Sequence, residues 1–410
     1  MASPQRVLRP RKHSEASAAR PSTKRQRLLR YQSGEQDILS GQPLKLPLEL
    51  ILLILAQIDS PRTLADASRV CKTLQPEIER LLYREVRVAR VPQVRSLHLA
   101  LTRAPGRASF VRDFLIHDNG RFANIVPLLN EVLPMFTDLE HLDHNLHTCF
   151  ADAPLYKTIL RTLSDCPFKL RVLECFVNND RELIQFLRRQ ADVEFFSARP
   201  LSFDLPEWEL PEDVLPRLKY LQTDYDFFLD VIPAPRMITH LSLCCFPTDL
   251  QDSKLDAVLR ILEHQLISLR CNRYTDRRFP VWPPSDILAG RTMPNLKFLE
   301  VNDVMAGAFL PCTMNAPRSN VALDTLVWSA SWLVGVRRDE GSQIVRPAHL
   351  GHVRPWVKTV LSGCRSLQRF FYVERCDQET PTVTLFTLSA GSELVEVQKA
   401  EKDVPIWSDI

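Results

Sequence analysis

From Leu46 the chain reads LPLELILLILAQI, and Leu50, Ile51, Ile54, Leu55 and Ile58 recur at helical spacing. Leu48, Leu52 and Leu53 lie off that stripe and widen it most of the way round, so this helix is expected to be covered on nearly all sides. The uninterrupted apolar run from Leu50 to Ala56 is far shorter than the roughly 20 residues a membrane span needs, which points to a protein as the cover. Pro47 suits the first helical position, where its missing N–H costs nothing, and Glu49 complements the helix dipole. Asp59-Ser60-Pro61 breaks the helix. Leu64, Ala67, Val70, Cys71 and Leu74 then mark one face of a second helix, and Pro76 opens a third with Ile78, Leu81 and Leu82 inward.

Read together, Leu46-Pro47, Glu49-Leu50-Ile51, Ile54-Leu55, Ile58-Asp59, Leu64, Ser68 and Val70-Cys71-Lys72 resemble the F-box, a three-helix module. Leu74 stands where that family often has Trp, and the link from Asp59 to Leu64 is one residue longer than usual. The resemblance implies docking onto the Skp adaptor, and through it onto the cullin scaffold of an SCF ubiquitin ligase. It assigns the adaptor-binding role to Leu46, Pro47, Leu50, Ile51, Ile54, Leu55, Leu64, Val70, Cys71 and Leu74.

Beyond Glu85 a second pattern takes over, an amphipathic helix followed by a short strand written h-x-x-h-x-h. Instances are Val111-Phe114-Ile116, Leu170-Leu173-Cys175, Ile238-Leu241-Leu243, Leu266-Leu269-Cys271, Leu296-Leu299-Val301, Leu323-Leu326-Trp328 and Leu367-Phe370-Tyr372. Leu139-Leu142, Val193-Phe196 and Leu218-Leu221 match with a polar or small last position. Helices are expected at 125–136, 154–164, 181–189, 254–263 and 354–361. The strands recur every 20 to 31 residues until a last interval of 44, which holds an insert at 335–351. This resembles degenerate leucine-rich repeats, whose periods are roughly 20 to 29 residues. An ordinary α/β domain with parallel strands is the alternative. The expected fold class is therefore α/β: a short three-helix F-box module (43–88), then a leucine-rich-repeat-like solenoid (89–410) with a parallel inner sheet and outer helices, behind a disordered tail (1–42).

Charge changes the picture at the N-terminus. Nine Lys and Arg against the single acid Glu15 give residues 1–30 a charge of +8, so with the whole chain at +3 the remainder carries −5. A tail so charged and so poor in apolar residues cannot bury enough surface to fold. Arg11-Lys12 and Lys24-Arg25-Gln26-Arg27 are spaced like a bipartite nuclear-import signal, which assigns import to Arg11, Lys12, Lys24, Arg25 and Arg27 and places the chain in the nucleus, the cytoplasm or both. A solvated basic arm is the plainer reading. The acidic body offers no second basic surface, so neither a specific nucleic acid nor a membrane is expected as partner. Ten cysteines without a CxxC pair fit reduced thiols.

No glycine-rich nucleotide loop, GxSxG or HExxH is present. His141, His144 and His147, with Cys149 and Asp152 behind them, have zinc-ligand chemistry. They fall on a repeat strand, however, where residues three apart point to opposite faces. No enzyme activity, cofactor or metal is therefore expected. In each h-x-x-h-x-h strand, the positions flanking the second apolar residue face away from the helices and would form a substrate groove. Its anchors are expected to be Tyr220, Arg270, Phe298, Glu300, Arg369 and Phe371. The function these readings imply is a substrate-recognition adaptor of an SCF ligase acting on an unidentified protein. The alternatives are a protein-binding scaffold outside any ligase and a metal-dependent hydrolase built on His141, His144 and His147.

Overall fold

The computed structural model describes residues 46–58, 60–117, 126–145, 153–177, 181–200, 209–232, 236–245, 251–275, 287–288, 291–305, 321–332, 350–376, 380–389 and 393–409. The chain divides into two compact units, Met1–Ile54 and Leu55–Ile410. Of the first, the described part is Leu46 onward, most of helix α1 (Leu48–Ala56). Pro47 stands just ahead of the helix rather than inside it, and its carbonyl accepts from the N–H groups of Leu50 and Ile51 at 3.1 and 3.2 Å.

In the second unit, α2 (Pro61–Val70) starts where Ser60 Oγ accepts the Thr63 N–H at 3.3 Å, with Pro61 at the first helical position. Helix α3 (Gln75–Arg84) follows and runs straight into strand β1 (Glu85–Val88). The sheet thus begins inside the range expected to be wholly helical. Arg107, in the turn Pro105–Phe110, ties that turn back to α3 by bonding both carboxylate oxygens of Glu79, at 2.9 and 3.0 Å.

Among the described residues, the chain from β1 builds one open sheet of thirteen strands in mixed α/β order, each strand hydrogen-bonded to the next in sequence. After α4 (Val91–Arg103) come β2 (Asp113–His117), α5 (Val126–Val132), β3 (His141–Asn145), α6 (Ala153–Asp165) and β4 (Val172–Val177). Next are α7 (Arg181–Arg189), β5 (Phe195–Pro200), β6 (Tyr220–Asp224), α8 (Tyr225–Val231), β7 (His240–Cys245) and α9 (Gln251–Leu262). The chain continues through β8 (Ser268–Thr275), β9 (Phe298–Met305), β10 (Thr325–Trp332), α10 (Leu350–Gly363) and β11 (Arg369–Cys376). Every pairing up to β11 is parallel. Strands β12 (Thr382–Leu388) and β13 (Leu394–Lys399) then close the array antiparallel, a pair the repeat pattern did not predict.

The register follows the apolar pattern. Phe114, Leu142, Leu173, Phe196, Leu221, Leu241, Leu269, Leu299, Leu326 and Phe370 are aligned strand to strand in a single row. None of them is more than 1 % exposed. The residues three positions earlier, from Val111 to Leu367, are buried as well, and the core joins both rows to the apolar faces of helices α4 to α10. One strand residue slipped would carry a whole row to the other face, which is why ten separate strands keep one register.

Helices α4 and α8 lie outside the stretches where the sequence predicts helix. Asp224 caps α8 by accepting the Phe227 N–H at 2.8 Å, and burial raises its carboxyl pKa. Replacing Asp224 by Ala should cost about 1 kcal/mol of unfolding free energy, with Asn nearly neutral. Urea denaturation of the two variants checks this, and an equal loss in both would mean that the cap bond is not the source.

Candidate functional site

Two surfaces of different chemistry stand out. The first is α1 and its flanks, where Leu46, Leu48, Leu50, Leu53 and Ile54 are 46 to 61 % exposed. Exposed apolar residues scattered singly are ordinary, but five within nine positions form a patch of the kind that marks protein interaction. Of the residues matched to the F-box, Leu46, Pro47, Leu50, Ile54 and Val70 are exposed, while Ile51, Cys71 and Leu74 are half-buried. Leu55 and Leu64 correct the expectation, being 7 % and 6 % exposed. Both are consumed by the chain's own packing and are not free to meet a partner.

The second surface is the face of the sheet turned away from the helices. Its first row comprises Asp113, His141, Val172, Phe195, Tyr220, His240, Ser268, Phe298, Thr325 and Arg369, aligned in register. At the β2–β5 end this face is charged. His141 lies 3.4 Å from Asp113 and 3.7 Å from Glu174, Arg199 reaches Glu174 at 3.0 Å, and His117 is 3.7 Å from Asp143. The Glu174 carboxylate raises the His141 pKa against the opposing effect of burial, and His141 followed by Arg199 lowers that of Glu174. Burial, with the Glu174 charge behind it, raises the pKa of Asp143, whose Oδ1 has no hydrogen-bond partner. In the middle, Glu300 accepts from Asn302 at 3.0 Å and faces Arg270 at 3.4 Å.

Toward the other end the face is apolar and covered. Phe298, Val327, Phe371, Val373, Val383 and Trp407 form a second buried cluster, with Phe195, Tyr220, Leu385 and Val404 packed around it. Trp407 belongs to the C-terminal residues that follow β13. Its ring centroid lies 6.1 to 6.4 Å from those of Phe195, Tyr220 and His240, and its carbonyl accepts from Ser268 Oγ at 2.7 Å.

This corrects the expected groove. All six anchors, Tyr220, Arg270, Phe298, Glu300, Arg369 and Phe371, lie on strand positions of the predicted face, but Phe298, Phe371 and Glu300 are 0, 4 and 9 % exposed. Tyr220 is half-buried beside Trp407. Arg270 is half-buried, and Arg369 is exposed and paired with Asp324 at 2.7 Å. At Phe298, Phe371 and Tyr220 the physical reason is the C-terminal segment, which the repeat pattern does not reach. Its one local signal is the short apolar run Val404-Pro405-Ile406-Trp407 after a charged stretch.

The histidine triplet does not converge. His141 lies on the charged face, whereas His144 is 2 % exposed on the opposite, core-facing side, its ring 5.9 Å from that of Tyr156. His147, Cys149 and Asp152 lie outside the described residues, as do the import residues Arg11, Lys12, Lys24, Arg25 and Arg27 and all of the 335–351 insert but its last two positions. Among the described residues no group of three His, Cys, Asp or Glu is placed to hold a metal ion. The described cysteines with assigned state are free thiols, and burial pushes Cys175 up to about 12. Among the described residues no helix is long and apolar enough to cross a membrane.

His144 has a measurable consequence. Burial holds its pKa at about 4, against 6.5 for the free side chain. Between those values the unfolded chain takes up a proton that the folded chain refuses, so the stability present above pH 6.5 is lost as pH falls toward 4. The loss should approach about 3 kcal/mol, and His144→Leu should remove it. His141 works in the opposite sense, since its raised pKa adds stability at acid pH that is lost as pH rises through its folded value. Urea midpoints at pH 5 and pH 7.5 separate the two. A His144→Leu variant as acid-sensitive as its parent would refute the assignment.

Neither a protein-family model nor any curated protein matches this chain.

Proposed function

We propose that the chain is a non-enzymatic substrate adaptor. In this reading residues 46–74 dock onto the Skp adaptor of an SCF-type ubiquitin ligase, and the sheet face receives a protein to be ubiquitinated. The observation that carries it is the exposed apolar surface of α1, at the positions that match the F-box. Folding leaves Leu46, Leu50 and Ile54 uncovered although water should exclude them, and a docked partner supplies the missing cover. Three helices in succession support it, with a capped start at Ser60, although α2 ends at Val70 and leaves Cys71 and Leu74 in the link to α3 rather than on the face of the second helix.

The solenoid reading is supported by strands that pair in strict sequence order, with a helix described between seven of the ten parallel pairs, and by one apolar row per repeat position. An irregular period and an antiparallel end are its departures from leucine-rich repeats. The basic residues 11–27 fit a nuclear address for such an adaptor. The test is co-purification: the tagged chain should bring down the Skp adaptor and cullin from cell extract. A chain that captures other proteins but never these two is a scaffold instead.

A further inference from the structure

The C-terminal segment sits on the sheet as a bound peptide would. Trp407 is 3 % exposed, seated against Phe195, Tyr220 and His240. Val404 packs against the buried cluster that includes Phe298 and Phe371, while Ile406 between the two anchors is 55 % exposed. Among the described residues the main chain of the segment joins no strand. Its described backbone bonds are local, Val404 N–H to Glu401 and Asp409 N–H to Ile406, and its link to the sheet face is the Ser268 hydroxyl on the Trp407 carbonyl. A segment held by two side-chain anchors and a hydroxyl can leave without breaking the ladder beneath it.

The same face carries further groups that suit a peptide main chain. Ser197 Oγ and His240 Nε2, on the strands that seat Trp407, are buried without hydrogen-bond partners. Buried polar atoms are nearly always paired, so these mark a surface that takes polar company. Beyond Ser408 a cavity of about 310 Å³ continues along the first row past Val172, His141 and Asp113.

We propose that the face over β5–β8 is a docking groove for an extended peptide with a large aromatic anchor, and that residues 404–409 are its resident occupant, displaced when such a partner binds. This rests on the reading that the sheet face receives protein, and it names the chemistry of what is received. An aromatic side chain fills the Trp407 seat, and its main-chain carbonyl takes the Ser268 hydroxyl.

The test uses the full chain and a fluorescent synthetic peptide of residues 400–410. A resident competitor lowers apparent affinity by the fraction of chains that are open, so full-length Trp407→Ala should bind the peptide about tenfold tighter or better than the unmodified chain. The same peptide with Ala at its tryptophan should bind neither. Because Trp407→Ala also opens a buried cluster, a second measurement uses the unmodified chain: excess peptide should speed amide hydrogen exchange at residues 404–409. A folded Trp407→Ala chain with no gain in affinity, or exchange unchanged by saturating peptide, overturns the proposal and makes the segment a fixed part of the core. Neither measurement involves the Skp adaptor, so failure here is distinguishable from failure of adaptor docking.

Discussion

If the proposed docking holds, replacing Leu50 and Ile54 together by Asp should abolish capture of the Skp adaptor while leaving the unfolding transition of the body in place. The two side chains are 46 and 55 % exposed, so within this chain the carboxylates remain hydrated and cost little. In the docked state they would be buried against an apolar partner, and two unpaired carboxylates taken out of water cost several kcal/mol. A control separates docking from folding. Leu64→Asp places the same charge at a position 6 % exposed inside α2 and should unfold the region instead. The measurement is a pull-down with the purified adaptor beside thermal melts of all three proteins. Unchanged capture by the Leu50→Asp, Ile54→Asp double variant would sink the docking assignment.

The body of the sheet was legible because its information is local and repeated. Each strand writes its own burial in an h-x-x-h-x-h pattern, and Leu142, Leu173 and Leu241 are aligned where that pattern puts them. Even the imperfect last positions held: Ala198, Thr223 and His144 are each 2 % exposed, because the flanking apolar positions decide which way a strand faces. Of the expected helices, α7 (Arg181–Arg189) fell where its amphipathic face put it. What the pattern could not show were contacts made across the fold. Ser268 and Trp407 are 139 residues apart, and nothing near either one announces the other. Phe298 and Phe371 read as groove anchors because their strand parity was right, and parity says which face a residue takes, never whether another segment lies on that face. The candidate docking helix shows the same division. Its apolar excess was plain from Leu46 to Ile58, while the loss of Leu55 and Leu64 to internal packing was not.

A charged group of the sheet, equally invisible in the sequence, carries the largest expected stability effect. Asp303 is 0 % exposed and accepts a bidentate pair from Arg273, Nε at 2.7 Å and a terminal nitrogen at 2.8 Å. Its Oδ2 also accepts the Trp328 indole N–H at 2.7 Å. The three residues lie on the neighbouring strands β8, β9 and β10, so one carboxylate ties three consecutive strands together. Its worth lies less in the net attraction than in what its removal exposes, because a buried charge that loses its partner keeps its desolvation cost. Asp303→Ala takes from the Arg273 guanidinium its fork partner and from the Trp328 indole the carboxylate oxygen it donates to, which should cost about 3 to 5 kcal/mol. Asp303→Asn keeps an acceptor for the indole but not the charge, and should fall between. The double variant Arg273→Met, Asp303→Leu should recover most of the loss, since apolar residues of similar volume need no partner. Urea unfolding of the three variants reads this directly. If the double variant is as unstable as Asp303→Ala, the energy resides in the shape of the site and not in the ion pair.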